Sequence, residues 1–468
     1  MMVWGAATVS VIGSQVTLIA IPFIALTMLH AGVFEVSLLA AVEMLPFLLF
    51  TLPAGAWLDR VRRRPVLIGA DIARACVLLS IPCAYVGGSL CLPQLFIVAF
   101  LSGSATAFFD VADQSYLPAI LERDELVEGN ARLQISNSIA QIGGPTLGGY
   151  LITMLAAPIA IVVDAVSFFL SGALMAGVRR REPQPERHLD DDGRAVPMHR
   201  EIRAGLAYVL GNPLLRPIAA CTGISNLFAA ALFGVFPVLI WNHLHLSPAF
   251  YGTVMGLSSV GFLVGAAVSD RLPKWIGIGP TIVFAAALGA PAFLVMALTP
   301  ADQNVAWMTL GGGWFVAGFA QVVYNVGQIS IRQAITPSEM QSRMNATMRF
   351  IVWGTIPIGF VMGGLLATAL PIRTALVLAA LACSTSFLPI LFSPLPRLKE
   401  IPAAVAVAET SAPRRARPVL ASRPALASAQ AASRPERAER AQRSRRSDRN
   451  VAALSIARPT TVGRRAGD

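Results

Sequence analysis

Gly55-Ala56-Trp57-Leu58-Asp59-Arg60-Val61-Arg62-Arg63-Arg64 separates two apolar runs, residues 33–57 and 66–88. Each run exceeds the roughly 20 residues that a helix needs to cross ~30 Å of hydrocarbon. Arg60, Arg62, Arg63 and Arg64 crowd the turn between them. Basic residues collect on the cytoplasmic side of a membrane, so the decapeptide reads as a cytoplasmic turn between two spanning helices.

Working outward, the pattern repeats. Apolar runs at 2–29, 33–57, 66–88, 93–117, 129–154, 157–178, 214–241, 249–271, 276–298, 304–332, 341–369 and 372–393 predict twelve spans. All are expected to be helices, because a lone span in lipid must satisfy its own backbone hydrogen bonds. Arg123 follows the fourth run, seven arginines between Arg179 and Arg203 follow the sixth, Arg271 and Lys274 the eighth, and Arg332 and Arg343 flank the turn after the tenth. The connections near His30, Gly88, Ala156, His243 and Asp302 carry no Lys or Arg, and Arg373 alone breaks the alternation. An even count with both termini in the cytoplasm follows. The first run has no basic region before it and no small-residue cleavage site, so it reads as a retained span and not a signal peptide.

Composition agrees. The chain is 55% hydrophobic and 13% charged, against about 25% charged in soluble domains. Of the net charge of +11, residues 401–468 supply +9 through 14 Arg and 5 acids. That tail has no Phe, Tyr or Trp, which argues against a nucleic-acid face. Its Ala, Arg, Pro and Ser predict a disordered extension, either plainly solvated or drawn to an anionic inner leaflet. Cys76, Cys83, Cys91, Cys221 and Cys383 form no close metal-type pair and read as small apolar packing residues.

The long connection 179–213 divides an amino-terminal bundle, 1–178, from a carboxy-terminal bundle, 214–395, with the tail at 396–468. Glu201–Val209 is expected to form a short surface helix. The halves repeat at an offset of 215. Val111 meets Val326, Ser115 meets Ser330, Ala119-Ile120 meets Ala334-Ile335, and Asn130-Ala131 meets Asn345-Ala346. Gly144, Gly148 and Gly149 meet Gly359, Gly363 and Gly364. Parallel six-helix repeats are a transporter architecture with the substrate site between them.

Gly55, Asp59, Arg60, Arg63 and Arg64 resemble the signature between helices two and three of the major facilitator superfamily, with Arg62 where that pattern prefers Gly. The resemblance implies an all-α integral membrane fold of about 12 transmembrane helices in two pseudo-symmetric six-helix bundles. It also implies a charge latch between the halves. Asp59 and Arg63 fit two of its roles, Asp110 or Asp113 a third, and Arg343 or Arg349 the fourth. Gly144-Pro145-Thr146-Leu147-Gly148-Gly149 resembles the antiporter motif of drug/proton exporters in that superfamily, with Ala140 where a Gly is usual one turn earlier. Gly144 and Gly148 share a helix face and permit close packing, and Pro145 invites a bend. Phe108-Phe109-Asp110, Leu117-Pro118-Ala119-Ile120 and Asn130-Ala131 look similar to the subfamily of the enterobactin exporter and macrolide efflux proteins.

An acid inside a membrane is a functional hypothesis by default. Glu43, near the middle of the second span, is the leading candidate for a proton or cationic-substrate site; the competing reading is a hydrogen-bonded packing residue. Asp164 is a second candidate, and Asp71 and Arg74, three apart, can neutralise each other. Gln15, Asn137, Gln141, Asn226, Gln321, Asn325 and Gln328 are polar residues within spans that either line a cavity or bond a neighbouring helix. Trp314, Tyr324 and Trp353 are candidates for an aromatic wall.

The chain shows no phosphate-binding Gly-rich loop with Lys and Ser/Thr, no paired His-Glu metal motif and no nucleophile elbow. The expected function is therefore secondary active, proton-coupled efflux of a small organic molecule by alternating access, in the inner cell membrane. No enzyme activity, cofactor, metal or nucleic-acid partner is expected. The expected partners are the substrate, protons and the lipid bilayer, with the protein a monomer. Proton-coupled import, or a non-transporting sensor on the same fold, are the alternatives.

Overall fold

The computed structural model describes residues 2–58, 61–120, 140–141, 143–178 and 198–400. All belong to one compact unit, Met1–Ser411. Among the described residues there are helices and turns but no strand.

The first half contains α1 (Met2–Thr27), α2 (Val33–Leu58), α3 (Arg63–Val86), α4 (Leu92–Ile120), α5 (143–155) and α6 (Ala157–Ala176). After α7 (Met198–Gly211), the second half contains α8 (Leu215–Val238), α9 (Pro248–Ser269), the short α10 (Leu272–Ile276), α11 (Ile278–Ala297), α12 (Gln303–Ala306), α13 (Gly312–Ile335), α14 (Ser338–Ala369), α15 (Ile372–Cys383) and α16 (Leu388–Leu391). Eleven stretches among the described residues are long and apolar enough to cross a membrane. The predicted fifth span, 129–154, is described only from residue 140, and the rest of it lies outside the described residues. Pro22, Pro46, Pro53, Pro82, Pro237, Pro291 and Pro357 all sit inside helices. Neighbouring helices and Ser/Thr hydroxyls can satisfy the backbone groups that such prolines free.

Several expectations change. Arg63 and Arg64 belong to the first turn of α3 and not to the preceding loop. Arg64 donates to the carbonyls of Met175 (3.1 Å) and Ala176 (2.5 Å), where α6 ends with unpaired acceptors. The predicted span at 372–393 is present as an apolar stretch of membrane length, Ile372–Leu391, but its helix is interrupted. α15 stops at Cys383, and the hydroxyls of Ser384 and Thr385 turn back onto the carbonyls of Ala380 and Ala382 before α16 begins. Such local bonds compete with helix propagation. Two π-helical segments, Leu239–His243 and Trp307–Gly311, extend α8 and precede α13. Cys221 and Cys383 are buried as expected, but Cys76, Cys83 and Cys91 are exposed, so they do not pack the interior. The surface helix expected at 201–209 is the longer α7. Its Gly205 lies against the backbone of Arg343 on α14, and the hydroxyl of its Tyr208 donates to Ile335 at 3.3 Å.

The arginine-free turns are sharp. His30 (φ 52°), Gly88 (φ 65°), Ala156 (φ 67°) and His245 (φ 53°) all adopt left-handed backbone there. At the other end the chain closes on itself. Ile278 and Gly279 donate backbone N–H bonds to Lys399 (3.2 Å) and Leu398 (2.9 Å), which caps the first turn of α11.

The repeat is visible in the packing. On α5, Gly144 lies against Gln15 and Gly148 against Val16, both on α1. On α14, Gly359 lies against Ala230 and Gly363 against Ala231, both on α8. The adjacent glycines turn the other way. Gly149 meets Pro248 and Ala249 of α9, and Gly364 meets Phe34 and Ser37 of α2. Each of these contacts except that of Gly149 with Pro248 has its counterpart at the offset of 215. Each half thus contributes one helix wedged between its own bundle and the opposite one.

Candidate functional site

A cavity of about 740 Å³ lies between the halves, walled by α2 and α4 on one side and α8, α13 and α14 on the other. Phe47, Thr51 and Asp110 face Asn226, Gln321, Asn325, Gln328, Arg332, Asn345, Arg349 and Trp353 across it. The lining reaches Arg332 in the last turn of α13 and Asn345 early in α14, so the cavity extends to the arginine-bearing end of the helices.

The other end is shut. The two glycine seams, α5 on α9 and α2 on α14, lie toward the turns at His30, Ala156 and His245 and the connection just before Arg373. The Ser37 hydroxyl donates to Gly234 across the halves at 3.0 Å, and the Ser259 hydroxyl donates to Gln141 at 2.6 Å. Trp241, at the π-helical end of α8, sits edge-on to Phe23 of α1 (centroids 5.0 Å) and to Tyr251 of α9 (5.5 Å).

Within the cavity wall, Arg332 donates to Gln328 (3.1 Å) and Asn345 (2.9 Å), tying the end of α13 to α14. Asn226 donates to the Val352 carbonyl at 3.2 Å, and Thr222 bonds the Tyr324 hydroxyl at 2.7 Å. Trp353 carries Arg349 over its face at 5.5 Å and meets Phe47 of the opposite half at 5.3 Å. The site therefore combines amides, an aromatic face, a carboxyl group and two guanidinium groups. It is suited to an amphipathic organic molecule with a polar or charged end.

Of the polar residues singled out in the sequence, Asn226, Gln321, Asn325 and Gln328 line this cavity. Gln15 and Gln141 do not. Gln15 packs beneath Gly144 and Gly148, and Gln141 serves the α5–α9 seam through its carbonyl. Asn137 lies outside the described residues. Of the aromatic candidates Trp353 alone lines the cavity; Trp314 stacks on Phe233 at 5.3 Å in the core. Glu43 is partly buried on α2, with Gly103 of α4 against its backbone carbonyl, and lies within Coulombic range of Asp164. It is not part of the cavity lining.

The latch candidates divide similarly. Asp110 and Arg349 both line the cavity and lie within Coulombic range of each other across the halves. Asp113 lies deeper in the first half, near Asp71 and Arg74. Arg343 carries its backbone against α7. Asp59 and Arg60 lie outside the described residues, as does the side-chain environment of Gly55. Sequence reasoning missed Thr51, Phe47, Arg332 and Asn345 as cavity residues. Phe47 and Thr51 share a face of α2 at a spacing of four, but Glu43, one turn before them, does not line the cavity, so the sequence held no local signal for them.

Residues 1–423 match a family model described as "Transmembrane secretion effector". The chain is 26% identical over 409 residues to the multidrug efflux pump Tap of Mycolicibacterium fortuitum, covering 85% of this chain and 95% of that one. It is 22% identical over 339 residues to the uncharacterized MFS-type transporter YvqJ of Bacillus subtilis, covering 72% and 79%. Among solved structures it resembles a bacterial homologue of the iron transporter ferroportin in an inward-facing state, with a TM-score of 0.64 at 17% identity over 82% of this chain and 96% of that one. It also resembles the nucleoside transporter NupG, with a TM-score of 0.64 at 11% identity over 84% and 98%. At such identities the structural likeness speaks for the fold alone.

Proposed function

We propose that this chain, which belongs to the transmembrane secretion effector family of major facilitator transporters, exports small amphipathic organic molecules across the cell membrane in exchange for protons. One observation carries the reading: a large cavity with a mixed polar and aromatic lining between the halves reaches the arginine-bearing end while paired glycine seams close the helices together toward the opposite end. With arginine-bearing turns on the cytoplasmic side, the cavity loads from the cytoplasm. Rocking of the halves that parts the seams then exposes it outward, as alternating access requires.

The mixed lining supports an amphipathic substrate, and Asp110 and Arg349 offer a charge pair that a substrate or a proton can perturb. The multidrug efflux pumps among its relatives support the outward direction. Glu43 and Asp164 are the candidates for proton binding, and Asp59, Arg60, Arg63 and Arg64 remain candidates for the latch.

The test uses everted membrane vesicles containing the full chain, with ethidium as probe. Acidifying the vesicle interior should drive ethidium inward, and collapsing the proton gradient should abolish that uptake. Ethidium uptake by right-side-out vesicles driven by external acid would instead identify an importer. Uptake indifferent to the gradient would end the proton-coupled reading.

A further inference from the structure

Away from the cavity, the interior of the first half holds a polar cluster of which the export reading uses Asp164 alone. Asp71 and Arg74 of α3 form an ion pair, and Asp71 also accepts from the Ser171 hydroxyl of α6 at 2.7 Å. Asp164 of α6 accepts from the Thr17 hydroxyl of α1 and from Ser167 at 3.2 Å. All three charged residues are sealed, with Asp71 at 0%, Asp164 at 1% and Arg74 at 4% exposure. The Arg74 guanidinium lies between the rings of Phe109 (4.3 Å) and Phe168 (4.0 Å). Gly13 makes room for the cluster: a side chain there would overlap Asp164 and Ser167.

Charge does not balance in this enclosure. Arg74 interacts with Asp71, Asp110 and Asp164, Asp113 is within range of Asp71, Asp110 and Arg74, and Glu43 of α2 is within range of Asp164. α1 brings hydroxyl groups but no charge. From the opposite half Arg349 reaches Asp110. One guanidinium neutralises one carboxylate, and an unpaired carboxylate sealed from water costs several kcal/mol. A bound proton meets that demand without a second cation. The guanidinium is also only partly used: its Nε is buried with no hydrogen-bond partner among the described residues. Arg74 thus holds one carboxylate and keeps a free donor near others.

We propose that Asp71, Arg74 and Asp164 form a proton-binding site enclosed in the first half, separate from the substrate cavity and joined to it through Asp110. Its part in transport rests on the export reading above; its occupancy by a proton does not. A proton arriving on Asp71 releases Arg74, whose pairing passes to Asp164 or Asp110, and the proton held by Asp164 departs toward Glu43. One proton enters and one leaves, and the enclosure keeps its charge. Pairing of Arg74 with Asp110 competes with that of Arg349, so the site communicates with the contact between the halves.

The test is infrared titration of the full-length protein in lipid vesicles, following the stretching band of protonated carboxyl groups across the range in which carboxyls ionise. Asp71→Asn and Asp164→Asn should each remove part of that band. Thr17→Val, which deletes one hydroxyl donor to Asp164 and keeps its shape, should move the midpoint along the pH axis. Spectra of both Asn variants superimposable on wild type at every pH would overturn the proposal. If those variants fail to fold, an unmoved midpoint in Thr17→Val overturns it. The measurement needs no substrate. A wild type that moves no ethidium under a proton gradient would therefore remove the export reading and leave this site standing.

Discussion

Gly149 of α5 and Ala249 of α9 meet backbone to backbone, so that a methyl carbon on Gly149 would stand 3.0 Å from the Cα of Ala249. Gly252, one turn along α9, packs against Pro145 and Gly149. A side chain at 252 would overlap the Pro145 carbonyl oxygen. Gly252→Ala should therefore disfavour the conformation closed at the arginine-free end by about 1–3 kcal/mol, a population shift of about 5- to 150-fold. Electron-electron distance measurements between spin labels at His30 and His243 should show a longer separation in the variant. An unchanged distribution would refute the seam's role in closure.

Trp353 presents an aromatic face to the cavity under Arg349. Trp353→Ala should weaken ethidium binding by about 1–2 kcal/mol, read as a roughly five- to thirtyfold higher half-saturating concentration. Trp314→Phe, in the core stack with Phe233, should leave that concentration near wild type. Equal effects at the two positions would count against the cavity as the binding site.

Arg64 caps the exposed carbonyls at the end of α6. Arg64→Ala should lower stability by about 0.3–1 kcal/mol, as loss of a cation at a helix C-terminus does, and Arg64→Lys should retain part of that. Thermal unfolding of the detergent-solubilised protein ranks the three. A variant as stable as wild type would assign Arg64 to the turn alone.

Gly279 sits beneath the Leu395 carbonyl, where a methyl group would overlap it. Gly279→Ala should loosen the two bonds from Ile278 and Gly279 to residues 398 and 399 by about 1–3 kcal/mol. Hydrogen exchange at those amides should accelerate about tenfold for each ~1.4 kcal/mol lost. Unaltered exchange would mean that the clasp tolerates the side chain.

Orientation has its own test. Single cysteines at His243 and Arg203, in otherwise cysteine-free protein, should be labelled by an impermeant maleimide from outside and inside the cell respectively. The reverse pattern would invert the cytoplasmic loading of the cavity.

The order of spans was legible because ~20-residue apolar runs and arginine-bearing turns are local signals. The ends were less so. Arg63 and Arg64 look like loop residues in sequence, yet they open α3 because the carbonyls of α6 lie within reach. The Gly-Pro-x-x-Gly-Gly hexapeptide stood out, but its partner Gly252 lies 103 residues away in the other half, and no local pattern links them. The amides were legible as candidates for a cavity lining, but not which of them line it. Rotation about each helix sends Asn226, Gln321 and Asn325 to the cavity and Gln15 to the α1–α5 contact. Asp71 and Arg74 announced themselves at a spacing of three. The approach of Asp164 from α6 is tertiary, and only the fold reveals it.

Because the α5–α9 and α2–α14 seams are copies of one another, the barrier at the arginine-free end has no stator and no rotor. It resembles a pair of matched bearings rather than a single bolt. On the export reading proposed above, slippage at one bearing alone leaves the other seated, and outward passage requires both to part. The 215-residue repeat between the halves thus sets the same kind of glycine contact on both sides of that barrier.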